Sequence, residues 1–399
     1  MRIGFILDGN FKTDNRVINE ARILENRGHS VFVLNPAAES QPRFEAYSQG
    51  IKIVRFGLRK KWLNWFFAIE NIIPVYDRIW SAGIKSAIRK YNLESIHVHD
   101  LYLARAGRLA VKRLKIPLVV DLHENYPAAV MEYKWANRFP ARLVVRPQQW
   151  KRKEKKYLSY ASSVIVLSNT FRADLATRYP SLNPQKIFIY PNVPDSDNLL
   201  SFPVNDRVFA KENKLVLFYF GVISRRRGII TSIEALRNLL PRYPYLHLLL
   251  IGPVDKAEKT EFEQLINDRS VKQNITYFPW KDIGELPSYL ACTDICLSPL
   301  LRNPQHDSGV ANKIFQYMLF EKPLLVSDCL PQKEIIEETS CGRYFRNNDA
   351  DDMARVIEEM ICSPEELVNM GKNGKKAVIE KYNTIIQGEA IEAAHLSAF

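Results

Sequence analysis

Short apolar runs alternate with amphipathic stretches along almost the whole chain. In the first half, runs that predict buried β-strands lie at 3–7, 30–34, 51–56, 95–98, 117–122, 162–167 and 186–190. The stretches between them, such as 15–27 and 102–115, have helical periodicity. Because the apolar runs are continuous rather than alternating, they predict a parallel sheet that helices cover on both faces.

Polar residues without a clear period interrupt this rhythm at 196–213, and a second series follows. Its strands are predicted at 215–220, 246–251, 274–278, 294–297 and 323–327, and its helices at 228–240, 257–269, 284–291, 311–320, 350–361, 364–381 and 384–397. The pattern predicts two doubly wound, Rossmann-like α/β domains, at 1–195 and 214–381, joined by a linker over 196–213. Ligands of such sheets bind at the carboxyl ends of the strands, so the default site is the cleft between the domains.

The charge of the chain is unevenly distributed. The 399 residues carry a net charge of +12. Residues 1–195 have 32 Lys+Arg and 16 Asp+Glu, a net of +16, and residues 196–399 have 24 and 28, a net of −4. A strongly basic half suggests an anionic partner, either a membrane or nucleic acid. No signal peptide and no apolar run of ~18 residues is present, which predicts a cytoplasmic protein.

A glycine-rich loop with three arginines follows the first strand of the second series. Gly221 stands at the strand end, where it allows a ligand to approach the backbone closely, and Gly228 opens the next helix. The N-terminus of a helix favours an anion, and the arginines at 225–227 could clamp a diphosphate through bidentate hydrogen bonds. A solvated arginine turn is the alternative.

A second polar loop, 306–311, leads into a helix that is predicted to begin close to Lys313. The free backbone N–H groups of Gly309, Val310 and Ala311 are expected to point at a phosphate, with Lys313 in the first helical turn beside it. Gln316 lies one turn further along the same face. A lysine on an exposed helix face is the alternative.

In this order, the motifs resemble the retaining nucleotide-sugar glycosyltransferases of the large family four (glycosyltransferase group 1), which have the GT-B fold. The similar segments are the loop 221–228, Asn312 to Met318 with Lys322, Pro323 and Ser327, the turn Gly252-Pro253, Pro191-Asn192 with Asp195, Asp14 to Ala21, Gly28 to Val31, His99-Asp100, and Asp121 to Glu124. The resemblance covers nearly the whole chain. It implies two Rossmann-like domains that face across a cleft, and a last helix within 382–399 that crosses back to the first domain.

The resemblance also implies a metal-independent reaction without a cofactor, in which the nucleoside-diphosphate sugar is a co-substrate. Fixed cations and backbone N–H groups would stabilise the negative charge that grows on the leaving diphosphate. The expected catalytic residues are His123, Arg227 and Lys313. The expected donor-binding residues are Gly9, Gly221, Arg225, Arg227, Gly252, Pro253, Trp280, Ser308, Gly309, Val310, Ala311, Lys313 and Gln316. The expected acceptor-side residues are Arg16, Asp100 and Glu124.

The chain departs from the family at the donor site. Many members carry a Glu-(x)7-Glu pair, of which the first glutamate contacts the sugar and the second the ribose. Here Ser308 and Gln316 hold those positions, and Asp307 stands one residue away. A glutamine can still hydrogen-bond ribose hydroxyls, but it lacks the charge of a carboxylate. Val222 replaces the first cation of the glycine loop, although a subfamily with an Arg-Gly loop also lacks the first glutamate.

Two stretches of the predicted first domain, 59–67 and 134–156, combine basic and aromatic residues. Such segments suit an interface with anionic lipid. We therefore expect this domain to dock on the inner membrane face and to bind a saccharide or a polyprenyl-linked glycolipid acceptor. Ordinary amphipathic helices with solvated lysines are the alternative. Basic patches with aromatic residues can also bind nucleic acid, but no nucleic-acid motif is present and we expect no such partner.

The leading hypothesis is a hexosyl or related transferase that builds a surface polysaccharide or glycolipid. A non-catalytic, glycosyltransferase-like subunit that binds a nucleotide sugar or a partner enzyme is the alternative. The missing glutamates favour this subunit, whereas Arg227, Lys313 and His123 favour an enzyme. An epimerase of the same fold would need carboxylate acid–base residues in the cleft, and the matching positions are poor in these.

Overall fold

The computed structural model describes residues 1–37, 41–70, 73–132, 139 and 145–397. The chain forms two compact units. The first contains Met1–Pro191 and the chain from Gln387 onwards, and the second contains Asn192–Ile386. Both units are parallel-sheet α/β structures, as the apolar pattern predicts.

The first unit is built on an eight-stranded sheet in the order β3-β4-β2-β1-β5-β6-β7-β8. Its strands are β1 (Arg2–Ile6), β2 (Ser30–Ala37), β3 (Phe44–Ala46), β4 (Ile51–Arg59), β5 (Ser95–His99), β6 (Leu118–Asp121), β7 (Ser163–Val166) and β8 (Ile187–Ile189). Only β3 runs antiparallel to its neighbour. Ile3 of β1 pairs with Val31 on one side and Ser95 on the other, so the strand order reverses at β1, where ligands of doubly wound sheets bind.

The helices of the first unit cover both faces of this sheet. They are α1 (Asn15–Asn26), α2 (Lys60–Ile69), α3 (Val75–Tyr91), α4 (Ala104–Val111), α5 (Tyr126–Glu132), α6 (Trp150–Leu158) and α7 (Asn169–Arg178). The carboxylate of Asp14 caps α1 by accepting from the N–H of Val17 at 3.2 Å. Val17, Ala21 and Leu24 recur at helical spacing and are fully buried, which is why α1 packs on the sheet.

The second unit has six parallel strands in the order β11-β10-β9-β12-β13-β14. They are β9 (Leu215–Phe220), β10 (Leu246–Ile251), β11 (Ile275–Phe278), β12 (Ile295–Ser298), β13 (Leu324–Ser327) and β14 (Gly342–Phe345). The helices are α8 (Ser196–Leu200), α9 (Ile229–Leu239), α10 (Lys259–Ile266), α11 (Leu286–Ala291), α12 (Asn312–Leu319), α13 (Leu330–Thr339), α14 (Ala350–Ile361) and α15 (Pro364–Glu380). Leu217 of β9 pairs with Leu248 and Ile295, so β9 is the central strand at which the order reverses.

The structure differs from the expected domain boundaries at 196–213. This segment belongs to the second unit and is not a separate linker. The N–H of Asn205 donates to the hydroxyl of Ser288 at 2.9 Å, and Lys211 pairs with Asp294 at 2.7 Å. These bonds hold the segment on the second unit, and the boundary falls after Pro191 instead of after Asp195.

The last helix, α16 (Thr384–Leu396), returns to the first unit. Glu392 pairs with the Arg27 guanidinium at 2.7 Å and with His29 Nε2 at 2.9 Å. Further along the helix, His395 Nδ1 lies 2.8 Å from the hydroxyl of Ser95 on β5. Polar contacts to two different elements of the first unit therefore fix this helix.

Candidate active site

Two glycine turns lie side by side at the carboxyl ends of β9 and β10. Gly221 and Gly252 follow the paired residues Phe220 and Ile251, with φ of 141° and 144°. A Cβ atom on Gly252 would lie 1.9 Å from the carbonyl oxygen of Gly221. Only glycine permits this close approach of the two strand ends, and it leaves backbone rather than side chains at the edge of the sheet.

Lys313 lies beside these turns, in the first turn of α12. It is 7% exposed, and its Nζ lies 3.6 Å from the centre of the Tyr219 ring. A Cβ on Gly221 would lie 2.9 Å from the same Nζ. Within the described part of the chain Lys313 makes no ion pair with a carboxylate. Burial and the positive charge of Arg227 hold the pKa of Lys313 well below its ordinary value.

The three arginines of the glycine loop point to different partners. Arg225 is exposed and pairs with Glu261 on α10, and Arg226 donates to the side-chain oxygen of Gln305 at 3.2 Å. Arg227 is half-buried, and its charge acts on Lys313. Arg225, an expected donor-binding residue, is therefore engaged on the surface of α10, whereas Arg227 and Lys313 form one electropositive group.

Gly228 fixes the start of the helix after this loop. Its φ is 73°, and a Cβ atom would lie 1.6 Å from the carbonyl oxygen of Pro299. The helix α9 therefore begins in contact with the chain that leaves β12. Leu301 donates its N–H to the carbonyl of Arg226 at 3.0 Å, which ties this chain to the arginine loop.

The loop before α12 contains the predicted donor-binding residues Ser308 and 309–311, and Gln316 follows in the helix. Ser308 is buried, and its hydroxyl donates to the carbonyl of Gln305 at 2.6 Å. Ala311 is the N-cap of α12 and offers no side-chain cap. The N–H groups at 309–311 form no hydrogen bond with the described residues, which leaves them available to an anion. Gln316 is half-buried one turn along.

His306, two residues before Ser308, is a buried histidine of this loop. Its Nδ1–H donates to the carbonyl of Leu301 at 2.6 Å. Burial, together with the charge of Arg227, lowers the pKa of His306 to about 4 despite that bond. Its buried Nε2 has no hydrogen-bond partner among the described residues. The sequence motif contains this histidine, but sequence reasoning gave it no role.

Other predicted donor-side residues are less enclosed. Trp280 is 61% exposed, and Pro253 is exposed with its carbonyl accepting from Ile223 N at 2.9 Å. Asp307, one residue from the position of the family's first glutamate, pairs with Arg302 at 3.2 Å and accepts from Leu330 N at 3.0 Å. Gly9 belongs to the first unit, where its carbonyl accepts from Asn35 at 2.7 Å.

The first unit holds a buried charge cluster at the ends of β5 and β6. Arg16 of α1 donates to both oxygens of Asp121, at 2.8 and 3.2 Å, and to the carbonyl of Tyr190 at 3.1 Å. Its Nε also lies 2.9 Å from Glu20. Arg16, expected on the acceptor side, is 7% exposed, so the structure places it inside the unit as the partner of two carboxylates.

His123, which is half-buried, is the least buried member of this cluster. Its Nε2 lies 2.8 Å from Asp121, and its Nδ1 lies 3.9 Å from Asp100. Burial alone would lower the pKa of His123, but these two carboxylates raise it to about 9. Near neutral pH, His123 is therefore an imidazolium. Asp100 has a φ of 74° and accepts from the Tyr102 hydroxyl at 3.2 Å, whereas Glu124 is half-buried.

Three further histidines extend from His123 into the unit. His99 Nδ1 lies 3.1 Å from His123 Nε2, the rings of His99 and His97 stack at 4.5 Å, and His97 Nδ1 lies 3.2 Å from His395 Nε2. Burial lowers the pKa of all three, that of His395 to about 3. This row of contacting histidines was not predicted from the sequence. Polar residues at alternate positions of a buried strand, here 97 and 99, are a signal that could have indicated it.

Four of these buried side chains could offer ligand atoms to a metal ion. Atoms of Glu20, His97, His99 and Asp121 all lie within 4.8 Å of one another. Arg16, however, already supplies a positive charge to both carboxylates. Burial and the charge of Asp121 also raise the pKa of Glu20 well above its ordinary value, which favours a neutral carboxyl group. The residues therefore fit a protonated, arginine-paired cluster better than a cation site.

The first basic aromatic segment lies mainly on α2, and the last residues of the second, from Trp150 onwards, lie on α6. Trp62 and Trp65 of α2 are 55% and 56% exposed. Lys151, Arg152, Lys155 and Lys156 of α6 are exposed as well. Residues 134–144 of the second segment, apart from Phe139, lie outside the described residues. A helix long and apolar enough to cross a membrane is not found in the described part of the chain.

The two parallel-sheet α/β units have the GT-B fold of known glycosyltransferases. Comparison with known families agrees: residues 203–377 match "Glycosyl transferases group 1", and residues 14–198 match "Glycosyltransferase Family 4". The chain belongs to the group 1 glycosyltransferases. The fold and family expected from the motifs are thereby confirmed.

Individual relatives are distant. The phosphatidyl-myo-inositol mannosyltransferase of Mycolicibacterium smegmatis is 21% identical over 363 residues, which cover 90% of this chain and 84% of the relative. Sucrose-phosphate synthase from Thermosynechococcus elongatus superposes with a TM-score of 0.76 at 19% identity and covers 99% of this chain and 98% of its own. Anabaena HepE in complex with UDP has a TM-score of 0.74 at 16% identity, with 100% of both chains covered. At these identities the structural likeness concerns the fold.

Proposed function

We propose that this glycosyltransferase is a retaining, metal-independent enzyme that moves a sugar from a nucleoside-diphosphate sugar to a saccharide or lipid-linked acceptor, in the synthesis of a surface polysaccharide or glycolipid. The observation that carries the proposal is Lys313, a buried cation that lacks a carboxylate partner within the described chain. A diphosphate would supply the missing negative charge.

The leaving diphosphate gains negative charge as the bond between its oxygen and the sugar breaks. Lys313, Arg227 and the N–H groups at 309–311 stabilise that charge from fixed positions, so no reorganisation is needed during the reaction. The acceptor oxygen forms its bond to the same face of the sugar, and its proton passes to the departing phosphate oxygen. Gln316 binds the ribose.

In the first unit, His123 donates a hydrogen bond to the sugar or the acceptor. Because Asp121 and Asp100 keep it protonated near neutral pH, it is a donor and an electrostatic group rather than a base. Its neighbour Asp100 is the carboxylate that positions the acceptor hydroxyl. Arg16 holds Asp121 in place and does not contact the acceptor.

Two relatives suggest the substrates. HepE is described in complex with UDP, which makes UDP the first donor nucleotide to test. The name of the mycobacterial relative describes a mannosyltransferase that acts on phosphatidyl-myo-inositol, a lipid. A lipid-linked acceptor agrees with the exposed tryptophans of α2 and the basic side chains of α6, which would hold the protein on the inner membrane face.

Thermal unfolding with UDP, GDP, ADP, CMP and their sugar conjugates, without metal, tests the donor site. Ligand at 100 times its Kd adds about 2.7 kcal/mol to the free energy of unfolding. We expect one nucleotide to raise Tm selectively. The matching sugar donor is then incubated with acceptor, and NMR of the new anomeric centre decides retention. A product of inverted configuration contradicts the retaining mechanism.

A non-catalytic subunit is the second candidate, since Asp307 and Ser308 are already engaged within their loop. It predicts a nucleotide-dependent rise in Tm without transfer or hydrolysis of any sugar donor.

Membrane docking is tested by flotation with neutral and anionic liposomes. Equal recovery in both would contradict the docking proposal.

A further inference from the structure

An apolar cavity of about 280 Å³ lies in the first unit, between α2, α5 and α6. The residues around it include Phe67, Ala68, Glu70, Tyr126, Val145 and Trp150. Because a water-sized group takes about 30 Å³, the cavity has room for about nine groups of that size. That volume is close to the lower limit of small-molecule sites, and it matches a short length of hydrocarbon chain better than a sugar.

Two of the three helices that line the cavity, α2 and α6, also carry residues of the basic aromatic segments. Asn64, Phe67 and Ala68 come from α2, which also presents the exposed Trp62 and Trp65. Trp150 begins α6, whose Lys151 and Lys155 are exposed. Ala68 and Trp150, separated by more than 80 residues in sequence, thus line the same apolar cavity. At the cavity itself, Lys153 Nζ lies 4.6 Å from the centre of the Trp150 ring, and Arg105 pairs with Glu70 at 3.2 Å. Basic groups beside an apolar cavity match a lipid whose head carries a phosphate.

The cavity also adjoins the acceptor-side residues of the same unit. The Phe67 ring lies 5.3 Å from that of Tyr102, and the Tyr126 ring lies 5.5 Å from it. Tyr102 in turn donates to Asp100, which faces His123. A molecule with its chain between Phe67 and Tyr126 would therefore have its head near Asp100.

The cavity wall also carries polar side chains, among them Glu70 and Trp150. Glu70 pairs with Arg105 at 3.2 Å and accepts from Tyr76 N at 2.9 Å, while burial and its neighbour Asp77 raise its pKa to about 8. The indole N–H of Trp150 is buried and has no acceptor among the described residues. The aromatic and aliphatic side chains of the wall accept a hydrocarbon chain, and the Trp150 indole can donate to an oxygen at the head of that chain.

We propose that this cavity binds the first part of a hydrocarbon chain of an anionic, phosphate-bearing lipid acceptor, and thereby positions its head at Asp100 and His123. The proposal rests on the lipid-linked acceptor of the proposed function and names where its chain lies. Isoprenoid and linear alkyl chains share the required chemistry, so both are used as probes.

Calorimetric titration with farnesyl phosphate and dodecyl phosphate, each below the concentration at which it forms micelles, tests the proposal. Ala68→Phe narrows the cavity from an exposed position and leaves the core intact. We expect wild-type protein to bind at least one probe, and Ala68→Phe to bind it at least tenfold more weakly. The probe that binds more tightly identifies the chain type.

Ala82→Phe is the matched control, since Ala82 is exposed on α3 and does not line the cavity. It should bind the probe like wild type, and inorganic phosphate should not bind detectably. Binding of neither probe, or equal binding by Ala68→Phe and wild type, overturns the proposal. The UDP-induced rise in Tm should be the same in all three proteins, so loss of the chain site is distinguishable from failure of the donor site.

Discussion

Each unit contains a buried cation at the carboxyl edge of its sheet, but the two cations have opposite surroundings. Arg16 is enclosed by Asp121, Glu20 and the carbonyl of Tyr190. Lys313 faces an aromatic ring and the charge of Arg227, and the described chain supplies it with no carboxylate. Both are 7% exposed, so the difference lies in charge pairing and not in burial.

This contrast separates a structural cation from a functional one. A buried charge that is fully paired stabilises the folded state as long as its partners remain. A buried charge without a partner destabilises the free protein and is retained where a ligand supplies the opposite charge. Arg16 therefore orders the acceptor-side cluster, and Lys313 is prepared for an anion.

Removal of Arg16 should have the largest effect. Arg16→Met leaves Asp121 and Glu20 buried without their cation, and we expect a loss of about 3–5 kcal/mol of unfolding free energy. Denaturant unfolding measures it. Arg172→Met removes an exposed arginine of α7 and should change stability by less than about 0.5 kcal/mol. Equal losses in the two variants would show that the cluster is not stabilising.

Gly228→Ala should destabilise the second unit by roughly 3 kcal/mol or more, because strain at positive φ adds to a collision with Pro299. Gly28→Ala is the matched control: its φ is 82°, but nothing lies within 4 Å of its added Cβ. Gly28→Ala therefore measures only the cost of placing a non-glycine residue at positive φ, which is about 1 kcal/mol. Similar losses in both variants would contradict the packing of α9 against the chain after β12.

The ion pair between His123 and Asp121 should make the free energy of unfolding depend on pH. The folded pKa of about 9 lies above the unfolded value of about 6.5. Its contribution, on the order of 3 kcal/mol, is therefore fully present below pH 6.5 and is lost as pH rises through 9. The difference in unfolding free energy between wild type and His123→Gln should shrink between pH 6 and pH 10. A constant difference would refute the raised pKa.

The smallest effect is expected at the last helix. Glu392→Gln weakens partly exposed pairs with Arg27 and His29, and we expect a loss of less than about 1 kcal/mol. The loss should fall further at high salt, which screens such pairs. A salt-independent loss would indicate that packing, rather than charge, attaches this helix.

Most strands could be predicted because parallel strands buried on both faces leave continuous apolar runs. β3 and β14 were missed because their side chains are partly exposed, as at Phe44 and Tyr344, so no such run marks them. The glycines and Lys313 could be predicted from motif spacing. The partners of Arg16 and the contact of His97 with His395 could not be predicted, since that contact joins residues 298 positions apart.

Replacement of Lys313 tests the central contrast most directly. Lys313→Met removes an unpaired buried charge, so the free protein should gain about 1–3 kcal/mol of unfolding free energy, while the rise in Tm with UDP or the nucleotide selected in the screen should be lost. Lys333→Met, on the neighbouring α13, should change neither quantity. A free protein that is destabilised by Lys313→Met, or a nucleotide-induced rise that survives it, would contradict the account.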